Sequence, residues 1–221
     1  MARAKIVRKQ HAGVTTGLSK PLKIVVTGPF SAGKTTLITT ISEITVVGTE
    51  RAVTDETRAA KGNTTVAMDF GRITFDDLAL FLFGTPGQRR FEVMWEILAD
   101  GMIGFIVLVN AADERSGEEA THILAMFKKY ADVPYVIGVT HLDEVSRPED
   151  EVLGEIRELL EAPEDVEVVA CDVRNREHVK QLILITLFGV MTRLEAAEID
   201  PDLDMLEGAE IIEVVEAEAG D

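Results

Sequence analysis

The run GPFSAGKTT, Gly28 to Thr36, has the spacing G-x-x-x-x-G-K-[ST]. Those residue types at that spacing cradle phosphate. Gly28 and Gly33 let the backbone curl so that amide N–H groups point inward at phosphate oxygens. Phe30, Ser31, Ala32 and Thr36 line the same loop, and Phe30 is a bulky choice near a γ-phosphate. The helix that follows adds its positive end. Lys34 would bridge the terminal phosphates, and the Thr35 hydroxyl would ligate Mg²⁺.

Two later segments have the chemistry of nucleotide-sensing loops. Thr64 and Thr65 lie in NTTVAMDFGRITF, just before a strand pattern. A threonine there can offer its hydroxyl to Mg²⁺ and its N–H to a γ-phosphate, or it can simply begin a strand. The stretch LFLFGTPGQRRF runs a buried strand into a glycine-rich loop. Gly87 could sense a γ-phosphate through its amide, and Gln88 could orient an attacking water. The plainer reading is a tight Pro-Gly turn with a surface glutamine.

The end of that strand usually carries an aspartate for the metal, but here the residue is Gly84. A turn centred on Asp76-Asp77 would pair Asp69 with Gly84 across a hairpin. Cross-strand partners point to the same side of a sheet. Asp69 is therefore expected to project over the position Gly84 leaves open and to supply the carboxylate near the metal. A purely structural aspartate at a strand edge is the alternative.

A third element would read a base. The stretch VIGVTHLD ends an apolar strand with Thr140, His141, Leu142 and Asp143. A carboxylate there can accept both the N1–H and the 2-amino group of guanine; adenine has no such donor pair on that edge. The later segment ACDVRN brings Asp172, Val173 and Arg174, and an amide near Val173 could meet guanine O6.

Several elements must position these residues. Apolar runs rich in Val and Ile begin near Pro21, Ile103, Pro134 and Val166 and alternate with helical patterns. The helices are expected over Lys34–Glu43, Glu92–Asp100, Glu114–Tyr130, Glu149–Leu160 and Glu177–Leu194. Continuous apolar strands alternating with helices predict an α/β fold with a mostly parallel sheet covered on both faces.

The chain has 221 residues and 46 % hydrophobic content, enough for one ordinary domain with a real core. No apolar run reaches the roughly 18 residues needed to span a bilayer, and no signal peptide or lipidation motif is evident. One cysteine, Cys171, excludes an internal disulfide and fits a cytoplasmic setting. The formal net charge is −17. Residues 1–23 hold six bases and no acid, and residues 195–221 hold eleven acids and no base, which leaves −12 between them. A surface that acidic argues against nucleic acid as a partner. The chain thus divides into a basic arm (1–20), a nucleotide domain (21–194) and an acidic tail (195–221) that is either disordered or a docking segment. His11, His122 and His178 show no ligand spacing.

Taken together, GPFSAGKTT, TTVAMDF, GTPGQ and THLD resemble the first four boxes of the Ras-like small GTPases, and ACDVR resembles a degenerate fifth. The pairing of VAMDFG with FGTPGQ is most similar to the prokaryotic branch, the MglA-like polarity GTPases and the conservon-type GTP-binding proteins. The resemblance covers residues 21 to about 194. It implies a P-loop three-layer fold, with a six-stranded sheet, one strand antiparallel, and five helices. It implies Mg²⁺ with GTP and GDP as ligands, slow hydrolysis as a molecular switch, and a roadblock/LC7-type protein as activator or effector. By the same resemblance His141 stands for a lysine that packs beside the base, and Arg174 stands for the lysine of the last box. Arg58, Arg89 and Arg90 lie in or beside the two switches. A guanine-nucleotide scaffold with little hydrolysis and a P-loop ATPase or kinase remain as rivals. If Asp143 reads guanine, Asp143→Asn swaps an acceptor for a donor. Competition binding should then show weaker GTP and stronger xanthine nucleotide; unchanged selectivity would remove Asp143 from base reading.

Overall fold

The computed structural model describes residues 22–46, 68–75, 78–88 and 91–199. Thr64, Thr65, Arg58, Arg89, Arg90, the Asp76-Asp77 turn, the basic arm and most of the acidic tail lie outside the described residues.

The elements run β1 (Leu22–Thr27), α1 (Lys34–Ile41), β2 (Asp69–Phe75), β3 (Leu78–Gly84), α2 (Glu92–Ala99), β4 (Gly104–Asn110), α3 (Glu114–Tyr130), β5 (Tyr135–Thr140), α4 (Glu149–Leu159), β6 (Val168–Ala170) and α5 (Arg176–Ile199). The sheet order is β2-β3-β1-β4-β5-β6. All neighbours are parallel except β2 and β3, which pair antiparallel. The apolar runs predict the mostly parallel α/β sheet, and its six strands with one antiparallel are what the resemblance implies.

The central strands carry apolar side chains on both faces, so each face needs its own helical layer. Ile24 and Val26 of β1 and Ile106 and Leu108 of β4 pack with Leu37 and Ile38 of α1 and Leu182 of α5. Val25, Phe105, Val107 and Val109 point the other way, against Trp95 of α2 and Ile123 and Phe127 of α3. Strand β1 is bonded on both sides, to β3 and to β4. After β1 the chain goes to one side of the sheet, and after β3 it crosses to the other. Open α/β sheets bind ligands outside the carboxyl ends of the strands at such a reversal, which is where the loop 28–33 lies.

The hairpin register pairs Asp69 with Gly84, as the position of the turn predicts. A Cβ at Gly84 would lie 3.2 Å from Asp69 Oδ2 and 2.9 Å from Ile38 Cδ1, so a side chain here would press on both.

Some boundaries differ from the sequence reading. α1 stops at Ile41 because the backbone turns to bond β2, Glu43 N–H donating to Arg72 O at 2.8 Å. β6 is only three residues long, because Val166 is held in a turn by its bond to Pro163 O. α5 runs on to Ile199, five residues into the segment read as acidic tail. Its inner positions Val179, Leu182, Ile183 and Thr186 are buried, while Leu184, Phe188, Met191 and Leu194 are exposed.

Cys171 follows β6 and is 2 % exposed; burial, helped by Asp172, pushes its thiol up to about 12. The folded state keeps this proton above the ordinary thiol value of 9, so it contributes stability below pH 9 that is lost as pH rises toward 12. Native protein is expected not to react with a disulfide reagent at pH 8 and to release one equivalent of thiol on denaturation. Rapid labelling of the native chain would show that this strand end opens readily.

Candidate functional site

The loop after β1 departs from ordinary backbone at three positions. Gly28 has φ 140, Ser31 has φ 61 and Gly33 has φ 94. At Gly28 a side chain is excluded outright, since a Cβ would lie 2.3 Å from Leu108 O of β4. No side chain caps the start of α1, so its first-turn N–H groups remain open to an anion.

Lys34 is 8 % exposed. Its ammonium donates to Gly28 O at 2.8 Å and to Pro29 O at 2.5 Å. Burial lowers its pKa to about 8, with Asp69 and Glu119 offsetting part of the shift. It is a charge held in a nearly dry place, where an anionic phosphate would be its natural partner.

Two polar residues at neighbouring strand ends take up the loop's other carbonyls. Asn110 Nδ2 donates to Ser31 O at 3.4 Å, and Thr140 Oγ1 donates to Ala32 O at 3.2 Å. Thr140 is buried at the end of β5, and its one hydroxyl proton is shared among Ala32 O and Val109 O, each at 3.2 Å, and His141 Nδ1 at 2.8 Å. Asn110 was not singled out in the sequence, since a lone asparagine at the end of an apolar strand carries no motif.

The segment after β3 folds over this loop. Thr85 N–H donates to Val26 O at 3.0 Å, and the Thr27 and Thr85 hydroxyls are 2.9 Å apart. A Cβ at Gly87 would lie 2.6 Å from Phe30 N and 2.8 Å from Lys34 Nζ, so Gly87 sits directly on the phosphate loop. Trp95 anchors the segment from α2, its indole N–H donating to Pro86 O at 2.9 Å. Phe30 and Gln88 are exposed at the rim, as are Ser31 and Thr36.

Asp69 reaches across from β2. Thr35 Oγ1 donates to Asp69 Oδ2 at 2.5 Å. A hydroxyl and a carboxylate in contact are the hard oxygen donors that Mg²⁺ takes from protein in phosphate sites. Among the described residues no group of three His, Cys, Asp or Glu could hold a metal by itself.

A second cluster lies beyond β5 and β6. His141 has φ 58 and leads into a single 3₁₀ turn, Leu142–Glu144, which presents Asp143 to solvent. Arg174 Nη2 donates to Asp143 Oδ2 at 2.9 Å, and Arg174 Nε donates to Asp172 Oδ1 at 2.7 Å. The Arg174 guanidinium holds both carboxyls below the usual carboxylate range. The Val173 side chain and carbonyl are engaged within the fold. Val173 is buried, its side chain backs Gly33, and its carbonyl accepts from Thr40 Oγ1 at 2.7 Å. His178 has a role that spacing could not reveal, accepting from Asp172 N–H through Nδ1 at 3.2 Å. His122 likewise bonds Glu92 at 2.8 Å and ties α3 to α2.

A strand, a glycine-curled loop and a helix carrying a buried lysine, set at a reversal of sheet order, define a P-loop nucleotide-binding protein. Residues 26–187 match the family of conserved hypothetical ATP-binding proteins, and the chain belongs to that family. It is also 34 % identical over 122 residues to an uncharacterized protein of Methanocaldococcus jannaschii, covering 55 % of this chain and 71 % of that one. The family shown is thus described by ATP, and neither match speaks of the Ras-like branch that the boxes resemble. No helix among the described residues is long and apolar enough to cross a membrane.

Substitution at Gly28 tests the geometry. Gly28→Ala is expected to cost the fold about 1–3 kcal/mol, from the clash with Leu108 O and the strained φ. Urea denaturation measures this; a loss below about 0.5 kcal/mol would show that the loop is not held against β4.

Proposed function

We propose that the chain is a regulatory nucleotide switch that binds GTP or GDP with Mg²⁺ and hydrolyses GTP slowly. The observation that supports guanine is Asp143, an ionised, solvent-facing carboxylate just beyond β5, whose strand end is bonded to the phosphate loop through Thr140. Guanine presents two parallel donors to such an acceptor, whereas adenine presents a ring-nitrogen lone pair and a C–H. His141 and the Asp172–Arg174 segment would border the base, with the Val173 amide offered to O6.

Lys34 and the amides of residues 30–36 would hold the phosphates. Mg²⁺, when bound, supplies charge neutralisation at the phosphate oxygens. Thr35 would ligate it, Thr65 would complete its shell, and Asp69 would stand in for the aspartate that Gly84 lacks. Gln88 would orient the attacking water. Thr65 and Gly87 would hold their segments in place only while a γ-phosphate is present. Unassisted turnover is expected to be slow, because an arginine supplied by a partner is worth about 10³–10⁵ in rate. A roadblock/LC7-type protein is the expected partner.

The second reading is an ATPase, favoured by the description of the family to which the chain belongs. One experiment separates the two. Nucleotide released by denaturing the purified protein is identified by chromatography, and stripped protein is titrated with GDP and with ADP in Mg²⁺. GDP is expected to bind tighter by about a hundredfold or more. Equal or tighter ADP binding would overturn the guanine assignment and leave the ATPase.

Asp69 has its own test. Asp69→Ala should weaken the Mg²⁺ dependence of nucleotide affinity by about 10–100-fold. A Mg²⁺ titration of nucleotide release that matches the unsubstituted protein would leave Asp69 as a strand-edge residue only.

A further inference from the structure

We propose that Arg174 is a positioning residue for base discrimination, clamping Asp143 into one orientation from an anchor on Asp172; this rests on the guanine reading above. The clamp spans two loops whose strands are neighbours, β5 and β6, paired at Val139 and Ala170. Its anchored end is the stronger one. Arg174 takes Asp172 side-on, Nε to Oδ1 at 2.7 Å and Nη2 to Oδ2 at 3.1 Å, and its own amide donates to Oδ1 at 3.0 Å. From that fixed fork Nη2 reaches Asp143 Oδ2 at 2.9 Å.

Exposure decides what the clamp is for. The Arg174 and Asp143 side chains are 64 % and 58 % exposed, and ion pairs in that setting add little to stability. An aspartate so exposed would otherwise sample several rotamers. A base with two parallel donors needs the carboxylate in one plane, so a carboxylate already fixed saves the ordering cost at the moment of binding. One bond from Arg174 leaves Oδ1 and the second lone pair of Oδ2 available. The clamp also matters for charge. Arg174 offsets one of the two carboxylates, so the cluster presents a net −1 to an anionic ligand.

The test uses the full-length protein stripped of nucleotide, with GDP and ADP titrated in Mg²⁺ and melting followed in parallel. Arg174→Gln is expected to weaken both nucleotides through the charge it removes and, beyond that, to lower the GDP/ADP affinity ratio about tenfold, the loss of one charge-assisted bond, while the melting temperature stays as it was. Arg174→Lys keeps the charge but not the fork, so the ratio should remain low. An unchanged ratio in Arg174→Gln, an equal loss for both nucleotides, or full recovery in Arg174→Lys would each overturn the clamp. A wild-type chain with no preference for GDP would instead sink the guanine reading itself, before any variant is compared.

Discussion

A buried ammonium held by the carbonyls of its own loop is the constraint around which the functional end is built. Lys34 can stay charged in so dry a place only if oxygen atoms surround it, and Gly28 and Pro29 supply them. Asn110 and Thr140 draw off the carbonyls of Ser31 and Ala32. Ala32 N–H turns back on Pro29 O, so the other loop amides and those of the first turn of α1 are what remains to meet a ligand. The turns this requires fall at Gly28, Ser31 and Gly33, all at positive φ. The loop can be pulled tight because β1 is bonded on both sides and its core residues are fully buried.

The two ends of the site rest on different physics. At the phosphate end most polar contacts are made by buried groups and backbone, the exposed Thr35–Asp69 bond apart. The outer cluster of Asp143, Asp172 and Arg174 is exposed, and its order comes from a charged fork rather than from packing. If the outer cluster reads a base, as proposed, that reading is done by exposed charged groups rather than by the buried loop beneath them.

Sequence carried the fold because each central strand is a continuous apolar run, and a strand buried on both faces needs two layers of helix. The phosphate loop was legible because its glycines and lysine act at fixed local spacing. The hairpin register was legible because a turn's centre determines every pair that follows. Other features were not. Asn110 reaches a carbonyl 79 residues away, and Arg174 reaches a carboxylate 31 residues away. Such contacts exist only once the strands are ordered side by side. The end of α5 was misjudged for a different reason. The charge of residues 195–199, EAAEI, suggests a tail, but alanine and glutamate are strong helix formers and carry the helix to Ile199. The packing of the Val173 side chain beneath Gly33 is likewise a long-range contact with no local signal.

The hairpin of β2 and β3 has a consequence of another kind. The carboxylate beside Thr35 comes from a neighbouring strand and not from the strand that leads into the glycine loop. Its location is set by counting residues around a turn. Side chains alternate between faces along a strand, so a slip of one residue would send Asp69 to the opposite side of the sheet. Surface turns are ordinarily the places where chains lengthen and shorten most freely. Here the length of the connection between β2 and β3 is under constraint although no residue within it need touch a ligand. Spacing, more than identity, decides here where that carboxylate falls.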